Sequence, residues 1–244
     1  MTAARRFFVE GRKEVGESVE VRGGDAHKIG RVLRLKAGDR LELIDSAGSS
    51  FAASIDTIGA TVRATLLDLI AESGPVVPLQ IDVAQAVPKG RRMEFVVEKC
   101  TELGACDFVP FYCERSVSRD LGAEKLARWQ RLARTAAQQS GRRDVPQVLA
   151  PLDFEALVAR FGEYQAVLFA WELAPPVSLR ERLPAALAAA GRVLVVVGPE
   201  GGFTHAEAEL AQRHGAVLVW LGARILRTDT AAIVLMAVIA ALAS

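Results

Sequence analysis

The residues best placed to do chemistry sit in two glycine-rich turns near the end of the chain. Val193–Val197 is an apolar run that ends in Gly198-Pro199-Glu200-Gly201-Gly202, and Trp220-Leu221-Gly222 leads into Ala223-Arg224-Ile225-Leu226-Arg227-Thr228. The first turn lacks side-chain bulk, so a ligand can come close to its backbone. Thr204 with Glu207 three residues on has the spacing of a capping box, which opens a helix with free N–H groups. Neither GxGxxG nor a Lys-Ser/Thr ending is present, so a dinucleotide fingerprint and a P-loop are both excluded. In the second turn two arginines flank an apolar pair, which suits a pocket wall beside an anionic partner. Each feature also has a plain structural account: a tight strand-to-helix turn for the first, and pairing of Arg224 and Arg227 with Glu200 or Asp229 for the second. Thr228 and Asp229 further suit the cap of the last helix.

Other charged clusters are basic. Lys89, Arg91 and Arg92 open a predicted helix, where positive charge opposes the dipole, so a phosphate partner explains them better. Gln139 and Arg142 close another helix, where the dipole favours a cation in any case. His27, His205 and His214 are scattered, with no Ser-His-Asp spacing. Cys100, Cys106 and Cys113 form no CxxC pair, which points to no metal site and to a reduced, cytoplasmic compartment.

Two kinds of segment must position these residues. Residues 1–72 carry short β-type runs at Phe7–Val9, Val19–Val21, Leu41–Ile44, Phe51–Ile58 and Val62–Ile70, separated by glycine turns, which is the grammar of a small barrel. One helix interrupts them, from Asp25 as N-cap through Ala26–Leu35. Residues 73–78, with Gly74, Pro75 and Pro78, read as a linker. From residue 79 to 244 strands alternate with helices. The strands are Leu79–Val87, Phe108–Tyr112, Val145–Leu149, Ala166–Phe169, Val193–Val197 and the run beginning at Ala216. The helices fall at about 91–103, 124–139, 153–161, 178–190, 205–214 and 229–242. This alternation predicts an α/β domain with a mainly parallel sheet. Two strands that each end in a glycine turn would set those turns side by side at one edge, where open α/β sheets bind ligands. The last helix is apolar nearly all round and must be buried, in the interior or in a subunit interface.

Composition sets the outer limits. Half the residues are apolar and the net charge is +1, so charge alone announces no nucleic-acid binder. Basic residues are concentrated in 1–36 and 88–147 and thin around the glycine turns. The longest uncharged apolar run, Ala231–Ala243, is shorter than the roughly 20 residues of a membrane span, and the start of the chain lacks a signal-peptide core. No membrane association is expected.

Taken together, PKGRRMEFVVEKCTELGA, FVPFYCERSV, QQSGRRDVPQV, VVVGPEGGFTHAE and LGARILRTDTA resemble, in order and spacing, the bacterial 16S rRNA (uracil N3)-methyltransferases of the SPOUT superfamily. RRFFVEG and HKIGRVLRLKAGD are similar to that family's N-terminal PUA-like barrel, so the resemblance covers nearly the whole chain. It implies a PUA-like RNA-binding barrel over 1–72 and a SPOUT methyltransferase domain over 79–244 with a C-terminal trefoil knot, a topology that no sequence pattern predicts. The methyl donor S-adenosylmethionine would bind three loops: Leu168-Phe169-Ala170, Gly198-Pro199-Glu200-Gly201-Gly202, and Leu221 to Thr230 with Gly222, Ile225, Leu226 and Thr228. RNA would be held by Arg5, Arg6, Lys89, Arg91, Arg92, Gln139 and Arg142. The resemblance also implies a homodimer through the knot and last helix, and the small ribosomal subunit or its 16S rRNA as partner. Arg227 and Glu200 are the catalytic candidates, Arg227 to stabilise developing negative charge and Glu200 as base or as a structural anchor. Asp229 departs from the family's usual Glu, and Ser46-Ala47-Gly48 replaces a more usual Asp-Gly turn. Two other readings stay open: a non-catalytic RNA-binding protein of ribosome assembly, and a methyltransferase of the same fold acting on another base or on ribose.

Overall fold

The computed structural model describes residues 5–72, 79–117, 121–177, 181, 183 and 191–243. The expected linker at 73–78 lies outside the described residues, as does the helix expected at 178–190 apart from Glu181 and Leu183. The chain forms two compact units, one reaching to residue 76 and including Ala137–Val145, the other holding the remainder.

In the first unit β1 (Arg6–Phe8), β2 (Ser18–Val21), β3 (Arg40–Ile44), β4 (Ser50–Ile58) and β5 (Val62–Ala71) form one sheet in the order β1-β3-β4-β5-β2. The β1–β3 pair is parallel and the others antiparallel. Phe7, Leu43, Ile55 and Leu66 are sealed in its core by strand alternation. The expected helix is shorter than its apolar spacing predicts. Helix α1 runs Gly23–His27 and widens into a π-helical turn at Lys28–Val32, with Leu33 N–H donating to the Lys28 carbonyl at 2.8 Å. Asp25 is not its N-cap: it lies inside the first turn, and its carboxylate accepts from Gln138 Nε2 at 3.0 Å. Residues 137–145, expected in the C-terminal domain, group here because Ala137 and Val145 pack with Phe8 and Ile44.

The second unit is built on an all-parallel sheet. Its strands are β6 (Gln80–Ala86), β7 (Asp107–Tyr112), β8 (Gln147–Val148), β9 (Leu152–Asp153), β10 (Ala166–Ala170), β11 (Arg192–Val197) and β12 (Val217–Val219), ordered β12-β10-β11-β6-β7-β8 with β9 also on β7. The short β9 has no periodic signal of its own. It leads into α4 (Phe154–Ala159), capped by Asp153 accepting from Ala156 N at 2.7 Å. The other helices are α2 (Arg92–Glu102), α3 (Ala123–Ser140), α5 (His205–Arg213) and α6 (Thr228–Ala243).

Both faces of this sheet are covered, which is why its strands read as unbroken apolar runs. Val193, Val195 and Val197 face one core with Met93 and Val97 of α2 and Leu235, Met236 and Ile239 of α6. Leu194 and Val196 face the other, with Phe154, Leu157 and Ala208. Each such side chain contributes about 1.5–3 kcal/mol by leaving water. A polar staple closes the opposite end of the sheet: fully buried Asp82 accepts from Tyr164 Oη at 3.0 Å and pairs with Arg192 Nη2 at 2.6 Å. Among the described residues, no helix is long and apolar enough to cross a membrane.

Candidate functional site

The strand order decides what the glycine turns can do. Because β12 pairs with β10 rather than β11, the two turns do not lie side by side as expected. They flank the C-terminal end of β10, whose next residues, Trp171 and Glu172, therefore enter the site. The ends of these three strands and the start of α6 surround a cavity of about 520 Å³. That volume falls within the roughly 300–1,000 Å³ of small-molecule sites.

Most of the residues expected at a cofactor site line this cavity: Ala170, Gly198, Pro199, Glu200, Gly201, Gly202, Leu221, Gly222, Ile225, Leu226 and Thr228, with Arg227 among them. Leu168 and Phe169 do not. They are fully buried on opposite faces of β10, one in each core, and stand behind the wall. Thr230 is half-buried on the first turn of α6 and is also off the wall. Arg92, expected on the RNA, lines the cavity instead. Sequence reasoning left out Trp171, Glu172 and Phe203. The signal available was position, since Trp171-Glu172 directly follows an apolar run that ends at the same sheet edge.

The glycines of the first turn are needed by the protein itself. A Cβ on Gly198 would lie 2.9 Å from the Phe203 ring, which packs 4.1 Å from Phe169 between centroids. At Gly201 the stem of Arg115 fills that space, and Arg115 Nη1 donates to the Gly201 carbonyl at 2.8 Å. Gly202 has φ +67°, which disfavours any side chain, and the Glu172 carboxylate lies over it. The Cβ positions of these glycines are thus taken by Phe203, Arg115 and Glu172, while their backbone still lines the cavity. The predicted capping box that follows is present, with Thr204 N–H donating to Glu207 Oε2 at 2.9 Å. Glu207 Oε1 also accepts from Glu114 N–H at 2.8 Å, tying in the segment after β7.

Beneath the cavity lies a buried polar clamp. Gln85, the only polar residue among the last four of β6, has no exposure; its Nε2 donates to Thr228 Oγ1 at 2.8 Å and to the Ala86 carbonyl at 3.0 Å. Thr228 in turn donates to the Gly198 carbonyl. One side-chain pair therefore fixes the ends of β6 and β11 to the start of α6.

The charges divide into paired and unpaired groups. Glu200 pairs with neither Arg224 nor Arg227; its Oε1 accepts from Arg92 Nη1 and from the Lys89 N–H at 3.0 Å. Burial pulls its carboxyl upward, but the backbone N–H groups of Glu200 and Lys89 and the Arg92 guanidinium outweigh that and hold it below the ordinary 4.5. Arg224 and Arg227 are exposed at the cavity with no ion pair among the described residues. Asp229 Oδ1 is buried without a hydrogen bond among the described residues. Cys100 is buried, its thiol pushed up to about 12 by burial, so it is no nucleophile.

The expected RNA-contacting residues fall into two groups. In the first unit half-buried Arg6 donates to the Gly141 carbonyl and pairs with Glu42 at 2.9 Å, which brings it, with exposed Arg5 beside it, close to the Gln139–Arg142 turn. Arg142 pairs with Asp144. In the second unit Lys89 and Arg91 are exposed, Arg91 pairing with Glu94 at 3.1 Å. Among the described residues no group of three or more His, Cys, Asp or Glu is arranged to hold a metal ion.

Residues 75–240 match the family model of an RNA methyltransferase domain. A Synechocystis protein named ribosomal RNA small subunit methyltransferase E is 36% identical, the match covering 98% of this chain and 78% of that one. The crystal structure of a ribosomal RNA small subunit methyltransferase E from Neisseria gonorrhoeae bound to S-adenosyl methionine superposes with a TM-score of 0.87 at 29% identity over 98% of both chains. A methyltransferase of Legionella pneumophila in complex with the bound cofactor SAM gives 0.88 at 30% identity, again over 98% of both.

Proposed function

The chain belongs to the ribosomal RNA small subunit methyltransferase E family, and we propose that it transfers a methyl group to N3 of one uridine in 16S rRNA. S-adenosylmethionine is the methyl donor and ribosomal RNA of the small subunit the acceptor. The observation that carries the reading is the cavity over the ends of β10, β11 and β12. Its chemistry fits the donor: Leu221, Ile225 and Leu226 offer apolar surface to a purine, the backbone of both glycine turns offers hydrogen bonds, and Arg224 offers an unpaired cation to a carboxylate.

Further features are part of the same proposal. In the first unit, the five-stranded sheet is read as the PUA-like barrel. The SPOUT knot is read from the return of β12 past β11 to pair with β10, followed by α6 packing back on α2. Half-exposed Leu242 on α6 and Phe95 on α2 leave apolar surface for a second copy, in keeping with a homodimer. A cytoplasmic location belongs to the same proposal, in keeping with an rRNA substrate. Arg5, Arg6, Gln139 and Arg142 in one unit and Lys89 and Arg91 in the other are read as the RNA-contacting residues.

When bound, the donor supplies an electrophilic methyl group on a sulfonium. The chain's own residues then have two tasks. Orientation falls to the rigid turns, fixed by the Gln85–Thr228 clamp and the Glu200–Arg92 pair, because aligned reactants account for much of the rate of such a displacement. Charge falls to Arg227: as N3 loses its proton, negative charge spreads to the uracil oxygens, and an unpaired guanidinium at the cavity is suited to receive it. Glu200 is a poor base in this arrangement, since the contacts that hold its carboxylate ionised also weaken its pull on a proton. It is read as the anchor of the turn. Nucleoside mass spectrometry of 16S rRNA from cells lacking the protein tests the reading: loss of one 3-methyluridine supports it, and an unchanged nucleoside profile refutes it.

A further inference from the structure

The charged groups at the cavity do not balance, and the imbalance singles out one residue. Glu200 is neutralised by Arg92, while Arg224 and Arg227 have no ion pair among the described residues. The remaining charge is Glu172, whose carboxylate has neither a hydrogen bond nor a salt bridge among the described residues. It is exposed, but it lines the cavity. It follows β10 directly, faces the cavity, and is laid over Gly202 with Oε1 2.6 Å from where a Cβ would stand. The positive φ of Gly202 keeps that seat clear of any side chain. The neighbouring Trp171 packs edge-on to His205 at 5.2 Å, which steadies the strand end that carries Glu172.

Resting on the reading of this cavity as the methyl-donor site, we propose that Glu172 is the carboxylate that pairs with the α-ammonium of S-adenosylmethionine. The donor carries two positive groups and one carboxylate. A cavity offering it only unpaired guanidiniums would repel the former, and among the described residues Glu172 is the one uncommitted anion on the wall. Between the two cations, the ammonium is the partner that chemistry selects. It presents N–H donors to a carboxylate, giving a charge-assisted hydrogen bond, whereas the sulfonium presents none. A carboxylate beside the sulfonium methyl would also be a competing methyl acceptor in place of the uracil nitrogen. Glu172 is thus assigned to binding and orientation of the donor, not to proton removal.

Titration calorimetry on the full chain tests this with three probes. S-adenosylhomocysteine keeps the ammonium and lacks the sulfonium charge, and 5′-methylthioadenosine lacks the amino-acid end altogether. The proposal predicts that Glu172→Gln weakens S-adenosylmethionine and S-adenosylhomocysteine by a similar factor, about tenfold or more, and leaves 5′-methylthioadenosine unchanged. Equal weakening of all three would make Glu172 a mere prop of the Gly202 turn and overturn the proposal. Loss confined to S-adenosylmethionine would assign it to the sulfonium and likewise overturn it, as would no change in any. If the unaltered protein bound none of the three, the failure would lie with the reading of the cavity itself.

Discussion

Thr228→Val removes one hydroxyl from the clamp beneath the cavity and keeps the side chain's shape. In the native protein that hydroxyl accepts from Gln85 Nε2 at 2.8 Å and donates to the Gly198 carbonyl, all out of reach of water. Without it the Gly198 carbonyl keeps only a long contact from Gln85 Nε2 at 3.4 Å, and Gln85 Nε2 keeps the Ala86 carbonyl at 3.0 Å and the Val197 carbonyl at 3.4 Å. Each poorly satisfied buried group costs about 1–3 kcal/mol, and the added methyl returns about 0.8 kcal/mol. With the Gly198 carbonyl the group most weakened, the net loss is about 1–2 kcal/mol. Urea unfolding followed by tryptophan fluorescence is the assay, since Trp129, Trp171 and Trp220 all belong to the second unit. Gln85→Leu should cost a similar amount, and the double variant should cost less than the sum by about 1–2 kcal/mol, because removing both partners leaves fewer orphaned groups. Additivity within about 0.5 kcal/mol would refute the clamp, as would a Thr228→Ser variant no more stable than Thr228→Val.

Three other outcomes follow from the site. Arg227→Ala should abolish methyl transfer while leaving donor affinity within about threefold; calorimetry beside a methylation assay checks it, and parallel loss of both would make Arg227 a binding residue. Gly198→Ala should destabilise by about 1–3 kcal/mol in thermal melts, because the new methyl meets Phe203, which is locked in an aromatic cluster and cannot yield. Glu200, held below 4.5 when folded, contributes stability that is full above that value and is lost as pH falls through its lower folded-state value. Melting curves of Glu200→Gln should therefore lie below the native protein near neutrality and converge with it as pH falls below the folded-state value of Glu200.

The strands were legible where burial on both faces left a continuous apolar run, as in β6 and β11, and the helices where apolar spacing met a cap, as at Thr204. Strand order was not, because pairing between β12 and β10 depends on the path of the whole chain and leaves no local trace. That is why Trp171 and Glu172 were missed at the site while Leu168 and Phe169 were placed there. Ion pairing was open for a similar reason: one reading paired Arg224 and Arg227 with Glu200 or Asp229, but Arg92 is the partner the fold supplies to Glu200. Gln85 could have been found from sequence, as a polar residue inside an apolar strand that must pay for its burial with hydrogen bonds. The brief π-helical turn after α1 had no signal in the spacing of Ile29, Val32 and Leu33.

The central claim is that this cavity delivers a methyl group to a uracil nitrogen. The most direct measurement incubates the purified protein with S-adenosylmethionine carrying an isotopically labelled methyl and small ribosomal subunits that lack the modification, then identifies the labelled nucleoside after digestion. The account predicts a single labelled product, 3-methyluridine, from 16S rRNA. Label on a ribose oxygen or another base, or no transfer at all, would contradict it.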